Sequence, residues 1–369
     1  MGKRGIGLMF LTYGANFWYL AGFHRRRAEL TDSNTYGDYV SGAYIGADDR
    51  IVLIAPRMGG SFYQQEAADK PWISEVRILD ESESPKDVMG QVVRSFRVGR
   101  RGVSIDDRAW AHTSLLFREI LPRSPRSIAS EIVAPMRMIK DEVAAMKKAG
   151  EMADEVYGEV LRFLKVGVTE YDVAHEVDYQ FVKHGAEGTS FVTGIRFAGA
   201  GRPSQSPGGA RTTVRRLERG DSITFDFGAL LNGYCSDFGR TCFVGNPPAE
   251  FVKIHDKVME AQAAAIKAMV SRRMTAEQLD VVARSIIEKA GYGLNFVHRL
   301  GHGIGVTVHE PPFLYRPDDT LLVSGMTFTV EPSIRLPESY GARVEDVVMV
   351  TDRGGVPFSS YSKELTILK

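Results

Sequence analysis

The fold of this chain is indicated most clearly by residues 221–237, which read DSITFDFGALLNGYCSD. Asn232-Gly233 separates two apolar runs, and Asn-Gly in that setting is a strong signal for a two-residue β-hairpin turn. With these two residues as the turn, Leu231 pairs with Tyr234. The segment therefore predicts an antiparallel hairpin.

The same register places two aspartates on one face of the hairpin. Asp226 lies opposite Gly239 and Asp237 lies opposite Gly228, so the two acids are diagonal cross-strand neighbours about 7–8 Å apart. Two carboxylates on one sheet face repel each other unless a proton or a cation lies between them. A single pair of this kind is also typical of solvent-facing hairpin charges, so further acids are needed to decide between these interpretations.

Three further residues in unusual settings favour a site. Glu331 and Glu345 each interrupt a β-branched run, where ionisable groups are rarely buried without a partner. His302 lies in a Gly-His-Gly-Ile-Gly segment, where glycines allow a ligand to approach the backbone closely. Four carboxylates and one imidazole suit Mn²⁺, Fe²⁺, Co²⁺ or Zn²⁺ better than Ca²⁺. A set this rich in carboxylates suggests two metal ions that share bridging ligands.

A nucleotide loop is not expected at the glycines of residues 301–305. A dinucleotide fingerprint follows a strand and opens a helix, whereas residues 306–311 here are β-like and end in proline.

Composition excludes several classes of protein. The 46 basic and 46 acidic residues give no net charge, so the chain lacks the basic surface that nucleic acids and anionic membranes attract. Two cysteines among 369 residues cannot form a disulfide framework, which favours a reducing, cytoplasmic environment. We expect Cys235 and Cys242 to be buried free thiols.

The N-terminal region is expected to be a separate domain. Residues 5–23 carry no charge, but polar residues interrupt them and bulky aromatics occupy the place of a cleavage site. We therefore expect no export or membrane insertion, and instead two short strands or a strand and a turn. Alternating strand and helix patterns up to residue 120 predict a small α/β domain. The Pro- and Ser-rich residues 121–127 mark its end, which gives domains at 1–125 and 126–369.

The C-terminal region is predicted to be α+β, because groups of helices alternate with groups of antiparallel strands. Helices are expected from Lys140 to Leu164, from Thr169, from Ala249 to Met269 and from Thr275. Strands are expected at 221–230, 234–244, 326–334 and 342–351.

The sequence resembles the pita-bread metallopeptidases, which include methionine aminopeptidases, prolidases and aminopeptidase P. The resemblance rests on Asp226 in Asp-Phe-Gly, Asp237 in Ser-Asp-Phe-Gly-Arg-Thr, His302 in Gly-His-Gly-Ile-Gly, Glu331 in Val-Glu-Pro-Ser and Glu345 in Arg-Val-Glu-Asp. It covers residues 135–369 strongly. Residues 1–130 resemble the smaller N-terminal domain of prolidase and creatinase relatives through Trp18-Tyr19-Leu20-Ala21-Gly22-Phe23, and this match begins late, as if the usual leading helix were missing.

The resemblance implies a role for each matching residue. Asp226 would bind the first metal ion, His302 and Glu331 the second, and Asp237 and Glu345 would bridge both, with a hydroxide between the metals as nucleophile. Glu331 would also act as general acid and base. His298 and His309 match histidines that contact the substrate in relatives. Arg343 matches an arginine that orients the bridging glutamate in relatives. A homodimer is implied as well, in which the N-terminal domain helps to wall the partner's active site.

One position departs from the family pattern. Prolidases carry a further histidine seventeen residues before the first aspartate, where this chain has Gly209. We expect the metal site to be complete and the substrate pocket to be altered, with Arg202 or Arg211 able to select an anionic group.

Three functions are compatible with the sequence. The first is a dinuclear metallopeptidase, with Mn²⁺ as the expected metal, that acts on Xaa-Pro dipeptides or short peptides. The second is a hydrolase or lyase with the same metal site that acts on a small non-peptide substrate such as a lactam or amide. The third is a non-catalytic binding module, and the complete set of five ligand types argues against it and against a metal-free creatinase-type enzyme.

Overall fold

The structure, a computed structural model, describes residues 1–23, 35–138, 142–203 and 212–369. The chain folds into two compact units, Met1–Arg137 and Met138–Lys369. Within the described ranges, no helix has the length and the apolar character needed to cross a bilayer.

The first unit is a mixed sheet with helices, as the alternating patterns predict. Its described strands are β1 (Ile6–Leu11), β2 (Gly42–Gly46), β3 (Ile51–Pro56), β4 (Ile73–Leu79), β5 (Gly102–Ile105) and β6 (Arg126–Ser127), in the spatial order β4-β3-β2-β1-β5-β6. Its described α-helices are α1 (Ala15–Ala21), α2 (Arg57–Ala67), α3 (Pro85–Ser95), α4 (Ala111–Ile120) and α5 (Ala129–Met138). Strand β1 is buried along its whole length, and Leu8 and Phe10 belong to one apolar cluster whereas Met9 and Leu11 belong to another. Both faces of the sheet are therefore covered, which is typical of an α/β layer.

Two expectations about the first unit need correction. The second half of the uncharged N-terminal stretch is helix α1 and not a strand or turn, because Phe17 and Ala21 recur at helical spacing and are buried, and Gly22 ends the helix at a positive φ of 72°. The boundary lies after Arg137 and not after residue 125, because Arg126–Ser127 pair with β5 and so extend the first sheet.

The second unit contains the four predicted helices. They are α6 (Val143–Phe163), α7 (Glu170–Lys183), α8 (Ala249–Ala268) and α9 (Ala276–Lys289), although residues 140 and 141 of the predicted first helix lie outside the described ranges. Thr169 and Thr275 each form a capping box with the residue three positions later, which explains why α7 and α9 begin where the sequence indicates.

Short strands complete the second unit and separate its helix pairs. In chain order the described strands are β7 (Gly188–Thr189), β8 (Gly194–Gly199), β9 (Asp221–Asp226), β10 (Ala229–Leu231), β11 (Tyr234–Cys235), β12 (Phe238–Gly239), β13 (Thr241–Val244), β14 (Gly301–Gly303), β15 (Glu310–Leu314), β16 (Thr327–Val330), β17 (Ser333–Arg335), β18 (Gly341–Arg343), β19 (Glu345–Thr351), β20 (Gly354–Pro357) and β21 (Thr366–Leu368). One sheet has the order β21-β13-β9-β8, and another has the order β12-β19-β16-β14-β15 with β20 beside β19. The α+β class is confirmed.

The long strands expected from the sequence are interrupted. Residues 221–230 divide into β9 and β10, residues 326–334 into β16 and β17, and residues 342–351 into β18 and β19, and the pieces pair in different sheets. The β-like segment expected at residues 306–311 is a strand only at its end: residues 305–309 are bends, and β15 begins at Glu310, whose Oε1 accepts a hydrogen bond from Thr307 N. Periodicity reports burial on alternate faces and carries no information about which sheet a strand joins.

Candidate metal centre

The predicted hairpin brings Asp226 and Asp237 to one place. Leu231 pairs with Tyr234, and Asn232 and Gly233 have φ values of 51° and 77°, as a turn with two positive φ angles requires. The same register continues to the bridge between Phe227 and Phe238. Asp226 therefore ends β9 on the same face as Asp237, which lies between β11 and β12.

Glu345 joins these aspartates through a pairing of distant strands. Gly239 in β12 pairs with Glu345 at the start of β19, and a Cβ atom at residue 239 would lie 2.8 Å from Glu345 Oε2. Only glycine leaves room for that carboxylate. One carboxylate oxygen from each of Asp226, Asp237 and Glu345 lies within 4.8 Å of the other two.

His302 and Glu331 complete the cluster from neighbouring strands. His302 Nε2 lies 3.4 Å from Glu331 Oε1 and 3.7 Å from Asp237 Oδ2. The other ring nitrogen, Nδ1, lies 3.0 Å from Gly303 O, and because a carbonyl oxygen only accepts, Nδ1 carries the proton. The lone pair of Nε2 therefore points among the carboxylates.

Arg343 is the buried cation of the cluster. Its Nη1 lies 2.7 Å from Asp226 Oδ2 and 3.2 Å from Glu345 Oε2, and its Nη2 lies 3.3 Å from Glu331 Oε2. Burial by itself would lower the pKa of Arg343, but the carboxylates of Asp226, Glu345 and Glu331 raise it further above its ordinary value. Arg343 thus stays charged and orients three of the four acids.

One arginine does not balance four carboxylates, of which Asp237, Glu331 and Glu345 are buried and Asp226 is partly exposed. Burial, and then repulsion from Glu345 and Asp226, raises the pKa of Asp237 well above its usual range. For Glu331, burial acts in the same direction, but the charge of Arg343, with His302 beside it acting in the same sense, lowers its pKa to about 2. Further positive charge is therefore needed at Asp237 for all four acids to be ionised.

The donors present fit a divalent cation. Among the described residues, the buried Asp237 Oδ1 has no hydrogen-bond partner, although buried polar atoms are normally satisfied. A cation at this point would receive that oxygen, the neighbouring oxygens of Asp226 and Glu345, and the lone pair of His302 Nε2.

All five predicted ligand residues line one small cavity, together with Arg343, Phe191 and His309. His309 lies at its exposed rim, with its ring centroid 4.2 Å from that of His302. His298 is not among the described residues that line the cavity. Its Nδ1 donates to Arg299 O at 2.7 Å and its Nε2 lies 2.6 Å from Ser333 Oγ, so both ring nitrogens are engaged. Loss of solvation, and then the charge of Arg343, lowers the pKa of His298 to about 4, which keeps the ring neutral.

The residues expected to alter the substrate pocket are described only in part. Gly209 and Arg211 lie outside the described residues. Arg202 is described, and its guanidinium pairs with Glu218 and with Asp221, the latter at 3.2 Å.

Comparison with known proteins decides the family. Residues 144–352 match the model of metallopeptidase family M24. The chain is 33% identical over 375 residues to a putative dipeptidase, YkvY, of Bacillus subtilis, covering 99% of this chain and 97% of that protein. It is 35% identical over 309 residues to a Xaa-Pro dipeptidase of Lactobacillus helveticus, covering 82% of this chain and 83% of that protein. The crystal structure of recombinant prolidase from Thermococcus sibiricus superposes with a TM-score of 0.86 and 31% identity, covering 100% of this chain and 96% of that one.

The chain belongs to metallopeptidase family M24. Its fold is the pita-bread fold, and the resemblance to the prolidase branch is confirmed. Membership implies divalent metal ions, in agreement with the donor set described above.

Sequence analysis did not identify the residues that hydrogen-bond to the proposed metal ligands of this metallopeptidase and to their strands. Arg240 is 2% exposed, and its Nη1 donates to Gly239 O at 2.8 Å and to Glu345 O at 2.6 Å. Thr329 Oγ1 donates to Glu331 Oε1 at 3.1 Å and accepts from the backbone N of His302 at 3.1 Å. The sequence contained one signal for the first of these, because Arg240 is the one basic residue of the expected strand 234–244.

Proposed function

We propose that this M24 metallopeptidase is a dinuclear metal-dependent dipeptidase that hydrolyses Xaa-Pro bonds in dipeptides or short peptides. The observation that carries the proposal is the convergence of carboxylate oxygens from Asp226, Asp237 and Glu345 beside His302 and Glu331. The relatives from L. helveticus and T. sibiricus, a Xaa-Pro dipeptidase and a prolidase, support the Xaa-Pro specificity.

The five residues would share the metal ions as the family resemblance implies. Asp226 would hold the first ion, His302 and Glu331 the second, and Asp237 and Glu345 both, with Mn²⁺ as the proposed metal. Bound ions would supply Lewis-acid activation of water and of the scissile carbonyl. Four carboxylates and a single imidazole suit a hard to borderline divalent cation such as Mn²⁺.

Glu331 is the residue that we propose to transfer the proton. Its carboxylate would take a proton from the attacking water and deliver it to the leaving amide nitrogen. Thr329 Oγ1 at 3.1 Å from Oε1 and Arg343 Nη2 at 3.3 Å from Oε2 hold the carboxylate in one orientation. This fixed orientation keeps the group poised for transfer.

The two other histidines would have different duties. His309, exposed at the rim of the cavity, would contact the substrate and donate to the developing oxyanion. His298, with both nitrogens engaged, would act through Ser333, whose Oγ lies 2.6 Å from His298 Nε2.

The alternative of a small non-peptide substrate is not favoured. The relatives from B. subtilis and L. helveticus are named as dipeptidases, and this chain keeps the residue types of the family's metal site.

We also propose a cytoplasmic homodimer. The low cysteine count supports the compartment, and the exposed Met58 and Phe62 on α2, at 79% and 58%, are apolar surface that a partner copy would cover. Light scattering at micromolar concentration tests the assembly, and a monomer would contradict it.

The test of function is hydrolysis of a substrate panel by Mn²⁺-loaded protein. The panel contains Xaa-Pro dipeptides, proline-containing tripeptides and small cyclic amides. We expect release of free proline from the dipeptides and little or no turnover of the cyclic amides. The Glu331→Gln protein, which has the same size and lacks the proton acceptor, serves as the control for contaminating peptidases.

Turnover of a cyclic amide without turnover of any peptide would overturn the proposal. Equal activity of wild type and Glu331→Gln would also overturn it, because the catalytic carboxylate would then have no part in the reaction.

A further inference from the structure

A second cavity adjoins the metal centre within the second unit. It has a volume of about 240 Å³ and shares Arg343 with the acidic cavity. The residues that give it its chemistry are Arg196, Thr224, Ser333, Arg335, Glu338 and Arg343.

Strands β8 and β9 place this cavity one repeat along the sheet from Asp226. Gly194 pairs with Asp226 and Arg196 pairs with Thr224, so all four residues belong to one face. Two residues along a strand correspond to a distance of about 7 Å. Arg196 therefore lies within the reach of a substrate bound at Asp226.

The hairpin of β17 and β18 adds Arg335 from the opposite side. Ser333 pairs with Arg343 and Arg335 pairs with Gly341, which puts Arg335 on the face that Arg343 presents to the metal centre. The side chain of Arg335 is exposed, and its guanidinium makes no ion pair or hydrogen bond with any residue that the structure describes.

The charged side chains that line the cavity around Arg335 are mostly positive. Three arginines line it against one acid, Glu338. Although part of the Arg335 side chain is exposed, partial loss of solvation in the cavity, and then the guanidiniums of Arg343 and Arg196, lower its pKa to about 10, with Asp226 and Glu331 acting in the opposite direction. An anion beside Arg335 would relieve this repulsion between cations.

We propose that this cavity binds a carboxylate of the peptide substrate, with Arg335 as the residue that contacts it. This inference rests on the proposed peptidase function and adds a substrate class to it. A guanidinium matches a carboxylate with two parallel N–H···O bonds. The carboxylate is either the C-terminal group of the peptide or an acidic side chain of its first residue.

The experiment compares kcat/KM of wild type, Arg335→Met, Arg335→Lys and the control Arg353→Met. Arg353 is exposed on the turn between β19 and β20 and is not among the described residues that line the cavity. The substrates are Ala-Pro, Ala-Pro amide, Glu-Pro and Gln-Pro, with metal-loaded protein. If the C-terminal group is bound, Arg335→Met lowers kcat/KM by about tenfold on Ala-Pro and leaves Ala-Pro amide unchanged. If the side chain is bound, it removes a preference for Glu-Pro over Gln-Pro. Arg335→Lys should restore part of either effect.

Calorimetric titration with glutarate gives a second readout that needs no turnover. We expect Arg335→Met to weaken glutarate binding by about tenfold, and Arg353→Met to leave it unchanged. Equal effects of Arg335→Met on all four peptides, or unchanged peptide kinetics and glutarate binding, would overturn the carboxylate site while wild-type hydrolysis still supported the peptidase function. Absence of hydrolysis in wild type with an Arg335-dependent glutarate affinity would overturn the peptidase function and leave the anion site standing.

Discussion

Arg240 Nη2 donates to Asp346 Oδ1 over 2.8 Å, and the two side chains are 2% and 0% exposed. Asp346 Oδ2 also lies 3.0 Å from Gln262 Nε2 and 2.5 Å from Lys363 Nζ. Burial by itself would raise the pKa of Asp346, but Arg240 and Lys363 lower it below its ordinary value. Because Asp346 follows Glu345 directly, this buried network fixes the strand that carries one of the proposed bridging ligands.

Removal of one member of the Arg240–Asp346 pair should destabilise the second unit strongly. We expect Arg240→Leu to reduce the free energy of unfolding by about 3 kcal/mol, because a buried carboxylate then loses its main partner. The double variant Arg240→Leu/Asp346→Leu should recover part of that loss. Denaturant unfolding measures both, with Arg353→Leu as an exposed control. A single variant that unfolds at the wild-type denaturant concentration would contradict the role of the pair.

The carboxylate cluster should hold two metal ions. Elemental analysis of reconstituted protein is expected to find close to two equivalents per chain. Asp237→Ala or Glu345→Ala removes a proposed bridging ligand, so occupancy should decrease at both sites. Asp352→Ala, an exposed acid in the same unit, is the matched control. Full occupancy in Asp237→Ala would refute the ligand assignment.

Arg343 should matter through the acids that it orients. We expect Arg343→Met to lower kcat by about 10- to 100-fold and to weaken metal binding, because Asp226, Glu331 and Glu345 lose their shared cation. Arg343→Lys keeps the charge but not the forked geometry, and should lie between wild type and Arg343→Met. Steady-state kinetics and metal titration test this order, and an unchanged kcat in Arg343→Met would argue against it.

His255 in α8 should make stability depend on pH. The side chain is 1% exposed, and neither ring nitrogen has a hydrogen-bond partner among the described residues. Burial lowers its pKa from 6.5 to about 4, with Arg240 acting in the same direction and Asp256 against it. Protonation therefore favours the unfolded chain, so its contribution to stability is present above pH 6.5 and is lost as the pH decreases towards 4.

The His255→Leu variant isolates this effect. Between pH 6.5 and pH 4 the wild type should lose up to about 3 kcal/mol more of its free energy of unfolding than the variant does. Unfolding curves at both pH values provide the measurement, and exposed His175 replaced by Gln is the control. Parallel pH dependence in wild type and His255→Leu would show that the ring takes up its proton equally in the folded and unfolded chains, and would contradict the prediction.

Local rules of the sequence determined the hairpin, the helix starts and the identity of the candidate ligands. Asn232-Gly233 sets the register that unites Asp226 with Asp237, because turn chemistry acts between neighbouring residues. The capping boxes at Thr169 and Thr275 start two helices for the same reason. Acidic residues within apolar runs also indicated a buried site, because a buried carboxylate needs an opposite charge or hydrogen bonds whichever sheet its strand joins.

Only the tertiary structure decided how those segments meet. The pairing of Gly239 with Glu345 joins strands that are far apart in the chain, and periodicity does not specify a partner strand. The same is true of the Arg240–Asp346 network and of the cavity at Arg335, whose walls come from separate hairpins. Turns and caps follow from interactions between a few consecutive residues, whereas strand partners and shared cavities depend on the packing of the whole unit.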